Sequence, residues 1–172
     1  MPTKQDPRQH PYHLTQTAFL HRVDMEVDRI LAGLPDGWQS GLFSVVIFGG
    51  REFQNYRFMV EVMKVITNKI RIKEVIHGGA LGADRLGGYW AAKHGILVRT
   101  LHAQWKKFPE AAGPMRNGDM VEALLKQSWA LAIGFPGGNG TADMVIKCNQ
   151  AEVPVLDLQV LLDPPTPLPD PS

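Results

Sequence analysis

The stretch Ser44-Val45-Val46-Ile47-Phe48-Gly49-Gly50 decides the fold class of this chain. It is a short apolar run without strict alternation that ends in two glycines, which is typical of a strand buried on both faces of a parallel sheet. Four further apolar runs of similar length follow, at residues 74–77, 96–101, 129–135 and 153–157. We therefore predict five parallel strands.

Helix-forming stretches occupy the gaps between these runs, at residues 54–68, 82–94, 115–127 and 141–150. Strands that alternate with helices in this way form an α/β fold, because crossovers between parallel strands are almost always right-handed. We predict a Rossmann-like, doubly wound parallel sheet of about five strands. If the strand order is 3-2-1-4-5, the first and fourth strands flank the point where the order reverses, and ligands of such sheets bind there.

An additional helix is predicted ahead of the first strand, between Leu14 and Leu34, from apolar residues at three- and four-residue spacing. Such a helix covers either the core of its own chain or a partner subunit, so the sequence leaves open whether the protein is a homodimer. Nine of the thirteen prolines lie before Asp36 or after Asp163. We divide the chain accordingly into an extended or disordered tail (1–13), an N-terminal helix and linker (14–41), a nucleotide-binding domain (42–160) and a proline-rich tail (161–172).

Composition excludes several classes of protein. The 172 residues carry 18 Lys+Arg against 17 Asp+Glu, and residues 42–160 carry 14 against 10, which suits a small anion better than a nucleic acid. With the single Cys148 there is no internal disulfide, and no Cys/His cluster has the spacing of a metal site. No run approaches the roughly 20 apolar residues needed to cross a bilayer. We expect a cytoplasmic protein without a membrane partner, a bound metal or a required cofactor.

Three of the predicted strands are followed by glycine-rich loops that meet at one edge of the sheet. Glycine allows a sharp turn and a close approach of a ligand to the backbone, while the helix that follows offers free N–H groups to an anion. The alternative for any one loop is a tight turn without a ligand. The loop residues predicted to bind a ligand are Gly49, Gly50, Gly78, Gly79, Pro136, Gly137, Gly138, Gly140 and Thr141.

Charged and polar residues beside these loops are the other candidates. Arg51 and Arg116 can hold a phosphate or form surface ion pairs, and Arg116 is placed in the first turn of its helix, where the helix dipole disfavours a cation. Asp84 and Asp143 are predicted either to cap their helices or to bind a ribose hydroxyl or a water. The remaining candidates are His77, which is either structural or part of the site, Asn117, and Trp105, which either packs or stacks on a base.

The standard phosphate-binding fingerprints are absent from the sequence. It contains no G-x-x-x-x-G-K-[ST], and Gly49-Gly50-Arg51-Glu52-Phe53 does not supply a G-x-G-x-x-G. A P-loop nucleotidase and a standard dehydrogenase are therefore disfavoured.

Four motifs in order resemble those of the YspA and YpsA-related branch of the SLOG superfamily, over about residues 43–158. They are Phe48-Gly49-Gly50-Arg51-Glu52-Phe53, His77-Gly78-Gly79-Ala80-Leu81-Gly82-Ala83-Asp84, Ala112-Gly113-Pro114-Met115-Arg116-Asn117 and Phe135-Pro136-Gly137-Gly138-Asn139-Gly140-Thr141 with the following Ala142-Asp143-Met144-Val145. The resemblance implies a Rossmann-like fold that binds nucleotides or nucleotide-derived ligands at the glycine-rich edge. The superfamily also includes the LOG phosphoribohydrolases and the DNA-processing protein DprA.

The chain departs from the LOG pattern P-G-G-x-G-T-x-x-E at its last position, where it has Met144. In LOG enzymes that Glu acts with an Arg, which corresponds to Arg116, on the N-glycosidic bond of a nucleoside monophosphate. A methionine cannot stabilise an oxocarbenium-like ribose. The resemblance therefore favours a ligand sensor that binds a small phosphorylated ligand, such as a nucleoside monophosphate or an ADP-ribose-like molecule.

Two other functions stay open. A phosphoribohydrolase would need another carboxylate, for which Asp143, Asp84 and Glu52 are the candidates, with Arg116 as the catalytic arginine. Single-stranded DNA binding of the DprA type is disfavoured by the small positive charge, so a nucleic-acid partner is not expected.

Overall fold

The structure is a computed structural model that describes residues 16–163. Five parallel strands form one sheet, as predicted, and their order is β3-β2-β1-β4-β5, the order that the sequence analysis considered. They are β1 (Leu42–Phe48), β2 (Arg71–His77), β3 (Leu97–Thr100), β4 (Ala130–Gly134) and β5 (Val155–Asp157). In the centre of the sheet, Val45 lies between Val75 of β2 and Leu131 of β4. Every residue of β1 after Leu42 is buried, as expected for a strand covered on both faces.

Helices cover both faces of the sheet. They are α1 (Gln16–Ala32), α2 (Tyr56–Thr67), α3 (Ala83–Lys93), α4 (Ala112–Leu125), α5 (Asn139–Gln150) and α6 (Leu158–Leu162), and a short 3-10 helix, Trp38–Ser40, precedes β1. Buried residues of α1, α2, α3 and α6 form one core on the first face. Those of α4 and α5, including Cys148, form a second core on the other face. The α/β Rossmann-like class with an N-terminal helix is therefore confirmed.

Helix α1 packs on its own chain. Its buried residues Phe19, Val23, Val27 and Leu31 recur on one face, and this face lies against α2 and α6. Phe19 stacks on Phe58 of α2, with ring centroids 5.3 Å apart. Of the two alternatives for the apolar face of this helix, the structure shows the first, in which the face packs on the core of its own chain.

Several boundaries differ from the sequence predictions. Helix α4 begins at Ala112 rather than at residue 115, because Pro114 fits the first helical turn and does not break it. Helix α6 was not predicted at all, and it places Leu161 and Leu162 in a helix rather than in the proline-rich tail. The tail predicted for residues 1–13, Leu14 of the predicted N-terminal helix and residues 164–172 lie outside the described residues. Within residues 16–163, no helix is long and apolar enough to span a bilayer.

Candidate functional site

A cavity of about 530 Å³ opens at the carboxyl edge of the sheet, a volume typical of small-molecule sites. It lies where β1 and β4 are neighbours and the strand order reverses. Loops after four strands and residues of α3, α4 and α5 form its walls. The lining residues are Phe48, Gly49, Gly50, Arg51, Ala80, Asp84, Trp105, Gly113, Pro114, Arg116, Asn117, Met120, Gly138, Asn139, Gly140, Thr141 and Asp143.

The loop after β4 leads directly into α5. This helix begins at Asn139, two residues before the predicted start at Thr141, and its N-cap is Gly138 without a hydrogen bond from any side chain. Thr141 is therefore the third residue of the helix rather than its cap. Since no side chain caps this end, the N–H groups of the first turn remain available to an anion in the cavity.

The glycines of the loop after β4 have two different structural explanations. A Cβ on Gly137 would lie 2.6 Å from the backbone nitrogen of Gly50, so packing between two loops requires glycine there. A Cβ on Gly138 or Gly140 would meet no atom within 4 Å, and neither residue has a positive φ. The protein's own packing therefore does not demand these two glycines, and both line the cavity.

The loop after β1 packs backbone to backbone against the loop after β4. Gly50 donates its N–H to the carbonyl of Pro136 at 3.0 Å, and a Cβ on Gly50 would lie 2.8 Å from that oxygen. A Cβ on Gly49 would lie 2.6 Å from the Cβ of Ala83. These glycines permit the close approach that brings the two loops to one cavity. Pro136 and Gly137 support this contact without lining the cavity.

The loop after β2 is held by hydrogen bonds of its own. The Nδ1 atom of His77 accepts the N–H of Gly79 at 3.0 Å, and its Nε2 lies 3.2 Å from the hydroxyl of Thr100. His77 is buried, and this burial, together with the charges of His102, Arg116 and Arg85, lowers its pKa. The wall on this side consists of Ala80 and Asp84, while His77, Gly78 and Gly79 lie behind it.

Arg116 projects from α4 across the loop after β2. Because α4 begins at Ala112, Arg116 is the fifth helical residue. The prediction that it lies in the first turn of the helix is therefore wrong. Its Nη1 donates to the carbonyl of Gly78 at 2.8 Å. A Cβ on Gly78 would lie 2.7 Å from the Cζ of Arg116, so the glycine makes room for the arginine. The Nε of Arg116 is buried and has no hydrogen-bond partner among the described residues.

Asp84 is a buried carboxylate in the cavity wall. It accepts the N–H of Gly78 at 2.9 Å and so braces the loop after β2; at the N-cap of α3, Gly82, no side chain makes a capping hydrogen bond. Burial raises the pKa of Asp84 to about 6, although the nearby Arg116, the hydrogen bonds from Gly78 and Ala80, and Arg51 act in the opposite direction. Near neutral pH a fraction of Asp84 is therefore protonated.

Asp143 has the opposite electrostatic environment. Burial acts to raise its pKa, but hydrogen bonds from Lys147 and Asn117 outweigh burial, so its pKa is lowered. Lys147 lies 2.6 Å from one carboxylate oxygen, and the amide nitrogen of Asn117 lies 2.9 Å from the other. The same amide donates to the carbonyl of Gly140 at 3.1 Å. Asn117 thereby joins α4 to the first turn of α5, and Asp143 is an ionised cavity residue rather than a helix cap.

The position of the LOG glutamate points away from the cavity. Met144 is fully buried among the residues that cover the second face of the sheet, whereas the preceding Asp143 lines the cavity. Glu52, the third candidate carboxylate, is exposed and does not line it. Among the described residues, the carboxylates that line the cavity are therefore Asp84 and Asp143.

Sequence reasoning missed some of the residues that form the site. Ala80, Asn139 and Met120 line the cavity, but nothing in their chemistry marks them. Lys147 was also missed, although its spacing of four residues from Asp143 on one helix is a recognisable signal for an ion pair. Of the tryptophans, Trp90 is buried and Trp129 packs beneath Gly41, whereas Trp105 lines the cavity.

These features define a Rossmann-like α/β protein with a glycine-lined cavity at the carboxyl edge of its sheet. The family model described as YspA, cpYpsA-related SLOG family matches residues 43–108. This range includes β1 from Phe43 onward, β2, β3 and the glycine loops after β1 and β2.

A curated protein is similar to more than two fifths of the chain. The Gene 61 protein of Mycobacterium phage D29 is 34% identical over 90 residues, which are 48% of this chain and 69% of that protein. No solved structure matches the chain. The chain belongs to the YspA, cpYpsA-related SLOG family, and this membership indicates nucleotide-related binding or processing.

Proposed function

We propose that this protein is a sensor domain that binds a nucleotide or nucleotide-derived ligand, such as a nucleoside monophosphate or an ADP-ribose-like molecule, in the cavity at the carboxyl edge of the sheet. The observation that carries the proposal is the pair Gly138 and Gly140. A Cβ at either position would meet no protein atom, so the packing of the protein does not require glycine there. A ligand that lies against the backbone accounts for both glycines.

The chemistry of this wall suits a phosphate group. The uncapped N-terminus of α5 offers N–H groups, and the hydroxyl of Thr141 lies on the same wall. An anion at a helix N-terminus gains from the helix dipole as well as from these hydrogen bonds.

The two arginines of the cavity supply positive charge for the phosphate. Arg51 and Arg116 both line it, while the charge of Asp143 is balanced by Lys147. One guanidinium nitrogen of Arg116 is bound to Gly78, which fixes the orientation of the side chain before a ligand arrives. Asp84 and Asn117 are then the polar groups available to the sugar or the base.

Calorimetric titration tests this function. The panel consists of AMP, GMP, UMP, CMP, ADP-ribose and NAD, with the wild type, Arg116→Ala and Gly138→Asp. We expect at least one ligand to bind the wild type, and both variants to lose that binding. The matched control is Asp119→Asn, an exposed position on α4 that does not line the cavity. No binding of any ligand by the wild type, or binding that both site variants retain, contradicts the proposal.

A second candidate function is hydrolysis of the N-glycosidic bond of a nucleoside monophosphate. The observation that favours it is the contrast between Asp84, whose pKa is raised to about 6, and Asp143, whose pKa is lowered. Two carboxylates with separated pKa values are typical of acid and base pairs. Water would add to the anomeric carbon and give up one proton to ionised Asp143, while the C–N bond to the base breaks and the departing base takes up a proton from Asp84.

Release of adenine from AMP, followed by chromatography, tests the hydrolase. We expect release above the buffer rate, with a loss of about 100-fold or more in Asp143→Asn because a positioned base or acid contributes on that scale. Asp119→Asn again serves as the control. Release at the buffer rate by the wild type rejects catalysis and leaves the binding proposal standing.

A further inference from the structure

Trp105 is the one large aromatic side chain in the cavity wall that is substantially exposed among the described residues. Its exposed fraction is 45%, and it lies in the segment between β3 and α4. The far end of its indole ring packs against α4, where a Cβ on Gly113 would lie 3.2 Å from the ring carbon Cη2. The ring is thus supported from one side while it remains open to the cavity.

The guanidinium of Arg51 lies over the indole ring of Trp105. Its Cζ is 5.5 Å from the ring centroid, within the range of a cation–π interaction. Arg51 is exposed, so this contact is a weak one that a competing group can displace. An arginine guanidinium and a nucleobase are both planar groups that stack on an indole.

We propose that Trp105 is the stacking platform for the base of the ligand, and that the base takes the place of the Arg51 guanidinium on the indole. This inference rests on the proposed nucleotide-binding function and adds to it the group that selects a base. The displaced Arg51 turns to the phosphate of the same ligand, because both residues line one cavity with the N-terminus of α5. Binding of base and binding of phosphate are coupled through Arg51.

The ligand class follows from this arrangement. Stacking tolerates every base, since each has a π face, and it scales with the area of the ring system. Purine nucleotides should therefore bind more tightly than pyrimidine nucleotides, and both more tightly than ribose 5-phosphate, which has the same sugar and phosphate without a base.

The experiment compares AMP with ribose 5-phosphate by calorimetry on the full chain. Stacking of one base corresponds to roughly a 5- to 140-fold change in affinity, so the wild type should prefer AMP by a factor in that range. Trp105→Ala should lose this preference while its affinity for ribose 5-phosphate stays within about threefold of the wild type. Trp105→Phe should retain part of the preference. Arg51→Gln should weaken the binding of both ligands, because it removes a positive charge that faces the phosphate.

Tryptophan fluorescence gives a second readout. AMP should quench the wild type more than ribose 5-phosphate does, and Trp105→Phe should abolish the difference. Trp38→Phe is the matched control, because Trp38 lies in the 3-10 helix at the opposite edge of the sheet. Thermal melts confirm that each variant is folded, and Trp105→Phe carries the test if Trp105→Ala does not fold.

Two results would overturn the platform and are distinguishable from each other. If the wild type binds AMP and ribose 5-phosphate equally, or if Trp105→Ala and Trp105→Phe both keep the full wild-type preference for AMP, the site holds a sugar phosphate but Trp105 does not select the base. If the wild type binds none of the nucleotides and no ribose 5-phosphate, the proposed function itself is wrong, and the platform with it.

Discussion

The loops after β2 and β4 have similar compositions but opposite relations to the rest of the protein. In the loop after β2, Gly78 accommodates Arg116 and Gly79 binds His77, so the protein itself occupies the space that glycine leaves. At the end of the loop after β4 and in the first turn of α5, Gly138 and Gly140 leave space that no described protein atom fills. The comparison teaches that a glycine-rich loop is a candidate ligand site only where the protein's own packing does not explain the glycine.

The largest expected effect comes from Gly82, at the end of the loop after β2. Its φ is +81° and its ψ is −128°, a conformation almost restricted to glycine, and a Cβ would lie 2.6 Å from the carbonyl oxygen of Arg51. We expect Gly82→Ala to lower the free energy of unfolding by about 3 kcal/mol, from backbone strain and overlap together. Urea denaturation measures this change.

The matched control for Gly82 is Gly95, which has a φ of +68° but no atom within 4 Å of a Cβ. Gly95→Ala should cost only the strain of the left-handed backbone, roughly 1–2 kcal/mol. Equal losses in the two variants would mean that packing against the loop after β1 does not fix the loop after β2.

The second prediction concerns the pH dependence that Asp84 adds to stability. Its pKa is raised from 3.8 to about 6 in the folded protein, so the folded state binds more protons than the unfolded state between these values. Stability from this group therefore rises as pH falls. From pH 7.5 to pH 5, the wild type should gain about 1.4 kcal/mol relative to Asp84→Asn.

The Asp84→Asn comparison needs one precaution, because His77 titrates in the same range with the opposite sign. Its pKa is lowered on folding, so it removes stability as pH falls through its ordinary value. Both proteins contain His77, and the difference between them isolates Asp84. A difference that stays constant from pH 7.5 to pH 5 would show that the Asp84 carboxyl is not the raised group.

The sequence predicted most of this fold because the strands carry their own signal. Buried β1 reads as one apolar run, whereas β2 was predicted only from residue 74, since its outer residues Arg71 and Lys73 are exposed. Helix α6 was missed because five residues are too few for a period, although Asp157 caps it by accepting the N–H of Gln159. The strand order was considered only as a condition, because right-handed crossovers do not by themselves determine which strands are neighbours.

The site was predictable only in part. The positions of the three glycine loops after strands predicted that they lie at one edge of the sheet. The sequence did not show that Gly78 is filled by a protein side chain while Gly138 is open, because the side chain beside Gly78 is that of Arg116, 38 residues further along the chain. The same limit applies to Asp84, whose burial depends on tertiary contacts. Asp143 also follows a glycine loop, but its ion pair with Lys147 lies on one helix and could be predicted from the sequence, whereas its hydrogen bond with Asn117 of α4 could not.

The third prediction tests the open glycines directly. Gly140→Ala should lower the affinity for AMP about tenfold or more, because the methyl group enters the space reserved for the ligand. Its free energy of unfolding should stay the same or rise by up to about 1 kcal/mol, since alanine is the better helix former. Calorimetry and urea denaturation measure the two quantities on the same samples.

Gly118 provides the control for Gly140. It lies in α4, a Cβ there also meets no atom within 4 Å, and it does not line the cavity. Gly118→Ala should stabilise the protein without changing the affinity for AMP. Loss of AMP binding in both variants, or in neither, would remove the distinction between the two loops on which the proposed site depends.

The smallest expected effect concerns the carboxylate next to the loop after β4. Lys147→Met removes the ion pair with Asp143, whose partners are about one-third exposed, so the free energy of unfolding should change by only about 0.5 kcal/mol or less. The pKa of Asp143 should nevertheless rise, because the hydrogen bonds of Lys147 hold it down. Carbon-13 NMR titration of the carboxyl group measures this shift.

The lowered pKa of Asp143 also links its ion pair to acid stability. A carboxyl group whose pKa is lowered on folding stabilises the protein at pH values above its unfolded-state pKa, and this stabilisation is lost as pH falls. Lys147→Met should therefore be less sensitive to acid than the wild type. An unchanged Asp143 pKa in Lys147→Met would assign the effect to Asn117, and the carboxylate would then be set by α4 rather than by its own helix.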